Sequence, residues 1–201
     1  MAPSTIIFAP HVDDEVLGCF SFLEPSTHVV FGGVEDRPSL DVRLAELESS
    51  AEALGFSYNN LGHEVNRYES QALISPFDEA INEAHPDTVL IPEPSYNQDH
   101  RAVFEAAMVA VRPHDHNHRV DRVLLYEQPH SVMWPLSDTI ASPNVFVPID
   151  IEAKLVAYQR YASQVRGHRS FDTVRALAGL RGSQIGSLAA EAFTLKRLVV
   201  T

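Results

Sequence analysis

Short apolar runs and longer stretches of helical periodicity alternate along the whole chain. The first run, residues 5–8, is rich in β-branched side chains and too short for a helix, so it predicts a fully buried strand. Pro10 ends this strand because proline has no N–H group to give to a sheet. Residues 40–54 carry apolar side chains at helical spacing, at Leu40, Leu44, Leu47, Ala51 and Leu54. Gly55 follows as a typical C-terminal stop, and the pattern predicts an amphipathic helix.

The rest of the chain repeats this alternation and predicts the fold class. Further strands are predicted at residues 28–33, near 61, and at 88–91, 120–126 and 145–149, and further helices at about 14–23, 71–84 and 101–111. Beyond residue 149 the pattern is mostly helical, apart from a candidate closing strand at 198–200. Alternating strands and helices favour a mostly parallel sheet with right-handed crossovers. The sequence therefore predicts an α/β fold: a single doubly wound, Rossmann-like domain over residues 1–201, with helices on both faces of the sheet.

Composition and charge favour a single domain and argue against nucleic-acid binding and a membrane span. A chain of 201 residues with 45% hydrophobic content can bury one core, which agrees with one domain. The net charge of −12 argues against a nucleic-acid groove, since such a groove needs clustered lysine and arginine. No stretch has the length of a membrane span, and the single cysteine, Cys19, favours a reducing compartment. We therefore expect a cytoplasmic protein, whose oligomeric state the sequence leaves open.

Four side chains that can bind metals follow two of the predicted strands. His11 and Asp14 come directly after the first strand, and Asp99 and His100 come after the fourth. In a doubly wound sheet these two strands lie side by side at the switch in winding direction, so both loops should open at one edge. Two imidazoles and a carboxylate suit a catalytic zinc ion that keeps one position open for water. The sequence therefore predicts a metal site at this edge of the sheet.

Asp13, between two of these candidate ligands, points to hydrolysis. A carboxylate beside a metal-activated water can accept its proton, and the metal's charge keeps such a carboxylate ionised. A base, an activated water and a Lewis acid together suffice to hydrolyse an amide or an ester. Two other interpretations stay open. Asp13, Asp14 and Glu15 can instead cap a helix, and a metallo-phosphoesterase would use a second metal ion, for which the sequence offers no convincing ligands.

The two clusters read Pro10-His11-Val12-Asp13-Asp14-Glu15 and Asp99-His100-Arg101-Ala102-Val103. Together they resemble the His-Pro-Asp-Asp-Glu signature and the second motif, His-Pro-Asp-His followed by Arg, of the PIG-L/LmbE-like deacetylases. The resemblance continues at Arg43-Leu44-Ala45-Glu46 and in the tail, at residues 154–164, 181–182 and 190–193. It therefore spans nearly the whole chain.

The resemblance implies a zinc-dependent hydrolase that removes acetyl from an N-acetylated amino sugar, either a small molecule or a glycoconjugate, with Fe²⁺ or Co²⁺ as alternative metals. It implies three metal ligands, namely His11, Asp14 and His100. It implies three catalytic residues, namely Asp13, Asn97 and Asp99, of which the first is the general base. It also places Arg43 near the substrate, although an ion pair with Glu46 on an exposed helix face explains this arginine equally well.

Asn97 departs from the family's pattern, which has histidine at this position. In the family that histidine stabilises the oxyanion and is placed to protonate the leaving amine. An asparagine amide still donates a hydrogen bond to an oxyanion but supplies no proton near neutral pH. Asp13 or another group such as His130 would then deliver the proton. Alternatively, the chain is a slow or inactive member that binds a sugar or nucleotide sugar and has kept the metal site.

The stretch after the strand predicted at 120–126 adds candidates for the pocket wall. Glu127, Gln128 and His130 follow a strand end, where they either line the pocket or lie outside it. Trp134, the single tryptophan of the chain, should be exposed or half-buried by its neighbours Pro135 and Ser137. It can pack against its surroundings or stack on the face of a sugar, and we favour packing.

Overall fold

A computed structural model describes residues 4–113, 115, 117–136 and 142–200 of the chain. Within these residues, seven strands form one sheet. The strands are β1 Thr5–Ala9, β2 Thr27–Phe31, β3 Ser57–Asn60, β4 Thr88–Pro92, β5 Arg122–Tyr126, β6 Val145–Pro148 and β7 Ala190–Leu198. Their order across the sheet is β3-β2-β1-β4-β5-β7-β6.

The parallel part of the sheet is wound in both directions from β1. This strand pairs in parallel with β2 on one side and with β4 on the other, so that Thr5 lies between Thr27 and Thr88. The outer pairs, β2 with β3 and β4 with β5, are parallel as well. The loops after β1 and β4 therefore open side by side at one edge, as the doubly wound prediction requires. The predicted α/β fold with a mostly parallel sheet is confirmed.

Helices pack on both faces of the sheet. The α-helices are α1 Asp14–Cys19, α2 Leu40–Leu54, α3 Ser70–Ala84, α4 Gln98–Ala110, α5 Pro129–Met133, α6 Ile151–Tyr158 and α7 Phe171–Ser183. Side chains of β1 alternate between two cores: Ile7 and Ala9 belong to the core with α1, α2, α6 and α7, whereas Ile6 and Phe8 belong to the core with α3 and α4. The continuous apolar run of β1 is thus explained by burial on both faces.

The bounds of α2 agree with the prediction, but its buried face differs from the predicted one. Gly55 ends the helix in the left-handed region, with φ 81°, as a glycine C-cap does. Leu40 and Leu44 are 46% and 37% exposed, so the predicted apolar stripe is wrong at these positions. The helix buries Leu47 and, unexpectedly, Arg43 instead. A charged residue on the buried face shifts that face away from the one that hydrophobicity alone predicts.

Helix α4 begins earlier than predicted, at Gln98 and not near residue 101. Asn97 caps it: its side-chain oxygen accepts a hydrogen bond from the Asp99 N–H at 2.9 Å. His100 therefore lies in the first turn of a helix and not in the preceding loop, which gives its side chain a fixed direction.

The tail differs most from the prediction. The stretch predicted as mostly helical contains β7, which is antiparallel to both β5 and β6 and buried over its first five residues. Alanine and glutamate favour helices, but pairing with strands on both sides overrides this local preference. Glu191 tolerates burial in the strand because Lys154 pairs with it at 2.7 Å. The candidate closing strand at 198–200 was thus placed too near the C-terminus.

None of the helices in the described ranges combines the length and hydropathy that crossing a lipid bilayer demands. That a single deacetylase-like domain covers residues 1–201, and that the protein is cytoplasmic, stay predictions.

Candidate metal centre and cleft

The turn between β1 and α1 has an uncommon backbone conformation at Asp13. Its φ of 109° and ψ of −20° lie in the left-handed region that residues other than glycine rarely adopt, and such positions cluster at functional sites. Although Asp13 occupies the N-cap position of α1, its side chain makes no capping hydrogen bond. The Asp13 N–H instead donates to the Glu15 carboxylate at 3.0 Å. Helix capping therefore does not explain the Asp13 side chain.

His11, Asp14 and His100 come together below this turn. One possible ligand atom from each lies within 4.8 Å of the others, in the only such cluster of three found among the described residues. The Asp14 Oδ2 atom is 3.5 Å from His11 Nδ1 and 3.3 Å from His100 Nε2. The His100 ring is buried, and its Nδ1 atom has no hydrogen-bond partner. Of the side chains predicted to bind a metal, these three are the ones that converge.

The charges in this cluster fit a bound cation. Burial by itself lowers the pKa of His11, but hydrogen bonds to Asp14 and Asp99 outweigh it and raise the pKa to about 9. For Asp14 the effects have the opposite sign. Burial by itself would raise its pKa, but His100 and His11 hold the pKa well below its usual range. The cluster thus attracts positive charge to the space between its donor atoms. Two nitrogens and one oxygen in this arrangement are a suitable donor set for a divalent metal ion.

Asp99 lies behind His11 and not in the cavity. Its Oδ2 atom is 2.8 Å from His11 Nε2, and its two oxygens accept hydrogen bonds from the backbone N–H groups of Asn66 and Tyr68. Burial opposes ionisation, but the bonds to His11 and Asn66 lower the pKa of Asp99 below its usual value. The carboxylate therefore occupies one nitrogen of His11 and leaves Nδ1 directed towards Asp14.

Asp13 is held by an arginine that the sequence analysis missed. Arg169 Nη1 donates to Asp13 Oδ2 at 2.9 Å, and Arg169 Nη2 donates to Gln164 Oε1 at 2.8 Å. The other oxygen, Asp13 Oδ1, is buried and lacks a hydrogen-bond partner. Burial raises the pKa of Asp13 to about 7, against the effect of Arg169. The one signal in the sequence was the basic run at residues 166–169 in an otherwise acidic chain.

Arg43 is buried, which neither prediction for it anticipated. Its Nη1 atom donates to Glu46 at 2.6 Å, so the predicted ion pair forms, but it forms in the interior and not on an exposed face. Nη1 also reaches Ser163 Oγ at 3.3 Å, and Nη2 donates to the backbone oxygen of Val12. Arg43 thus stabilises the turn that carries Asp13 by a hydrogen bond to its backbone. Arg43 also lines the cavity.

Asn97 and His130 meet through Ser95. Besides capping α4, Asn97 donates its backbone N–H to Ser95 Oγ at 3.2 Å. His130 Nε2 lies 3.1 Å from the same hydroxyl, and the His130 ring stands edge-on to His100 with centroids 4.6 Å apart. Burial, together with the charge of His100, lowers the pKa of His130 to about 3. His130 is therefore a neutral imidazole next to a candidate metal ligand.

These residues surround one cavity of about 400 Å³. The predicted site residues that line it are His11, Asp13, Asp14, Arg43, Asn97 and His100. Among the three residues proposed after the strand at 120–126, His130 lines it. Glu127 instead forms an ion pair with Arg181, and Gln128 donates to the Asp14 backbone oxygen. The remaining lining residues include Tyr96, Trp134, Arg166 and His168.

Fold and site together define an α/β protein with a candidate metal centre at the carboxyl edge of a parallel sheet. The family described as PIG-L, GlcNAc-PI de-N-acetylase, matches residues 6–111, which is more than half of the chain. The chain belongs to the PIG-L family, and its fold is that of the LmbE-like deacetylases.

Solved structures of low sequence identity share this fold. The conserved protein TT1542 from Thermus thermophilus has a TM-score of 0.80 at 22% identity, covering 99% of this chain and 97% of its own. The N,N'-diacetylchitobiose deacetylase from Pyrococcus horikoshii has a TM-score of 0.75 at 21% identity, covering 95% and 82%. GalB from Pseudomonas putida KT2440, a 4-carboxy-2-hydroxymuconate hydratase, has a TM-score of 0.75 at 18% identity, covering 99% and 98%. Because one of these proteins is a hydratase, the fold alone does not determine the reaction.

The comparison with curated protein sequences gives no match.

Proposed function

We propose that this protein is a metal-dependent hydrolase that removes the acetyl group from an N-acetylated amino sugar or glycoconjugate. The observation that carries the proposal is the convergence of His11, Asp14 and His100 at the floor of a cavity that also holds the Asp13 carboxylate. Membership of the PIG-L family supports acetyl removal from an amino sugar. The Pyrococcus horikoshii neighbour, named for N,N'-diacetylchitobiose, supports the same substrate class.

Zinc is the proposed metal, held by His11, Asp14 and His100. Two imidazoles and one carboxylate would suit a catalytic zinc ion, and Fe²⁺ or Co²⁺ would accept the same ligands. When bound, such an ion polarises a carbonyl group and lowers the pKa of a coordinated water. Asp99 fixes the ring of His11 from behind, a role that carboxylates commonly have for metal-binding histidines. We therefore propose that Asp99 positions a ligand and does not contact the substrate.

Asp13 is the proposed general base. One of its oxygens is fixed by Arg169, whereas Oδ1 is buried beside the candidate ligands without a partner among the described residues. A carboxylate oriented in this way can accept the proton of the attacking water at Oδ1. Arg169 acts on the reaction through Asp13, as a positioning residue.

Two proposed roles concern the oxyanion and the leaving amine. The Oδ1 atom of Asn97 is occupied by the Asp99 N–H, so only Nδ2 of this amide remains to donate to an oxyanion. Protonation of the amine falls to Asp13, after it has taken the water's proton, because burial holds the pKa of His130 near 3 and leaves that imidazole without a proton to give. Arg43 lines the cavity, and we propose that it contacts the substrate there.

A sugar-binding protein without turnover is the second candidate, and Asn97 favours it. The residue at this position serves α4 as a cap, a role that asparagine fulfils well without any catalytic contribution. Loss of the motif histidine with the metal ligands retained is the pattern expected of a member that binds but does not hydrolyse.

Acetate release from a panel of N-acetylhexosamines, measured on zinc-loaded protein, tests the proposal. We expect acetate release by wild type, and an Asp13→Ala variant that keeps its metal but loses roughly 10²–10⁴-fold in turnover. Asp41→Asn, at an exposed position of α2, is the matched control and should keep full activity. Full activity of Asp13→Ala would remove the proposed base. Zinc-loaded wild type that binds these sugars without releasing acetate would favour the second candidate.

A further inference from the structure

Trp134 is exposed to a degree that packing does not explain. The residue is 72% exposed, which agrees with the expected exposure but leaves little of its surface for the packing role favoured from the sequence. Tyr96 is exposed as well, at 57%. Large aromatic side chains are usually buried for most of their surface, and exposed apolar patches on monomeric proteins commonly mark binding sites.

The two rings form one unit at the rim of the cavity. Their centroids are 6.1 Å apart and their planes are inclined by 74°, which is an edge-to-face pair. A backbone bridge between Ser95 and Pro135 joins the two segments next to the rings. His130 and Ser95 join them a second time, at 3.1 Å. These two ties hold together the two segments that carry the rings, next to the candidate metal centre.

The depth of the cavity separates the rings from the candidate ligands. Asp14 and His100 are only 1% and 2% exposed, whereas Trp134 and Tyr96 are mostly exposed to solvent. All four residues line the same cavity. For the proposed function, the acetamide group of the substrate must reach the buried end of the cavity, where Asp14 and His100 lie. The sugar that carries it then fills the interior, and the next part of the substrate reaches the rim.

The chemistry of the rim suits a sugar ring. The face of an aromatic ring carries partial negative charge and attracts the partly positive C–H groups on one side of a pyranose. The same cavity offers planar polar groups for hydroxyls, from Glu35, Asn66 and Arg166. A purely apolar occupant would gain nothing from these polar groups, whereas the hydroxyls of a sugar can hydrogen-bond to them.

We propose that Trp134 and Tyr96 form an aromatic platform that binds the sugar ring adjacent to the N-acetylated one. The proposal rests on the proposed function in that the reacting acetamide occupies the buried end of the cavity. It follows that a disaccharide binds more tightly than a single N-acetylhexosamine, and that the platform contributes to KM more than to kcat.

The single tryptophan makes the platform directly observable. The experiment titrates zinc-loaded Asp13→Ala protein, which does not consume its ligand, with N,N'-diacetylchitobiose while recording tryptophan fluorescence. We expect a saturable blue shift with the disaccharide and a smaller response to N-acetylglucosamine at the same concentration. An unchanged emission spectrum with the disaccharide would overturn the platform. An equal shift with n-hexanol would overturn it in favour of a general apolar patch.

Kinetics provide the second measurement, on otherwise wild-type protein. Trp134→Ala should raise KM for the disaccharide about tenfold, equivalent to about 1.4 kcal/mol, and Trp134→Phe, which keeps an aromatic face, should recover most of that loss. Tyr58→Ala, on the edge strand β3, is the control and should leave KM unchanged. A Trp134→Ala protein with wild-type KM would contradict the proposal.

The two proposals fail separately. A fluorescence shift without acetate release from any substrate would support the platform and contradict the deacetylase. Acetate release from the disaccharide without any fluorescence shift would support the deacetylase and contradict the platform.

Discussion

His11 Nε2 lies 2.8 Å from Oδ2 of Asp99, a residue 88 positions further along the chain. The contact joins the two motifs from behind, since His11 lines the cavity and Asp99 does not. It occupies Nε2 of His11 and leaves Nδ1 directed towards Asp14. The geometry of the candidate metal centre therefore depends on a carboxylate that is itself outside the cavity.

Replacing Asp99 should weaken metal binding. Asp99→Asn keeps the shape of the side chain but removes the charge that orients His11. Replacing a group that is hydrogen-bonded to a metal ligand typically lowers metal affinity roughly 10–100-fold. Competition with a chelator of known zinc affinity would measure the loss. Asp87→Asn, on an exposed loop residue before β4, is the control. Equal zinc affinity in both variants would show that Asp99 does not position His11.

Removing a ligand should empty the site. Wild type should hold about one zinc ion per chain, whereas His100→Ala should retain little after dialysis, because two protein ligands bind zinc far more weakly than three. Elemental analysis gives the ratio of metal to protein directly. His28→Ala, in β2 and bonded to Ser57 and Asn59, removes an imidazole elsewhere and should keep the wild-type ratio. A ratio near two in wild type would point to the metallo-phosphoesterase interpretation instead.

The Asn97→His variant should keep or exceed the turnover of wild type, and it should be less stable to unfolding. The substitution places an imidazole at the cavity but removes the side-chain oxygen that caps α4, which costs roughly 0.5–2 kcal/mol of stability. Asn97→Ala loses the same cap without gaining the imidazole and is the matched control. Turnover measured beside urea unfolding separates the two effects. If the histidine variant is as slow as the alanine variant, an imidazole at this position does not contribute to the reaction.

The buried pair of Lys154 and Glu191 should be essential for stability. Glu191 accepts hydrogen bonds from the backbone N–H groups of Phe20 and Ser21, and Lys154 also donates to the Leu17 oxygen, so the pair ties β7 to the end of α1. Lys154→Met leaves an unpaired buried carboxylate and should cost about 3–5 kcal/mol in urea unfolding.

The double variant Lys154→Met/Glu191→Gln should recover a large part of this loss, because no unpaired charge remains. Arg175→Met breaks an exposed pair with Glu152 and should leave the unfolding midpoint unchanged. A double variant no more stable than Lys154→Met would show that the lost packing, and not the unpaired charge, is responsible.

Local patterns predicted the elements that position the candidate metal ligands. The strands β1 and β4, the bounds of α2 and its stop at Gly55 follow from apolar runs, helical spacing and turn residues, all of which act over a few positions. The adjacency of β1 and β4 followed from the rules of strand order, which brought His11 and His100 to one edge. The same local signals failed for β7, where pairing on both sides outweighed the helical preference of its residues.

By itself, the sequence determined the fold class, the family and the three residues that converge as candidate ligands, because these depend on periodicity and on motifs a few residues long. Only the tertiary structure brought Arg169 to Asp13, 156 positions away, buried Arg43 in α2 and left Trp134 exposed at the rim. Contacts of this kind depend on how distant segments pack against one another. Packing is a property of the whole chain that no local pattern of residues contains.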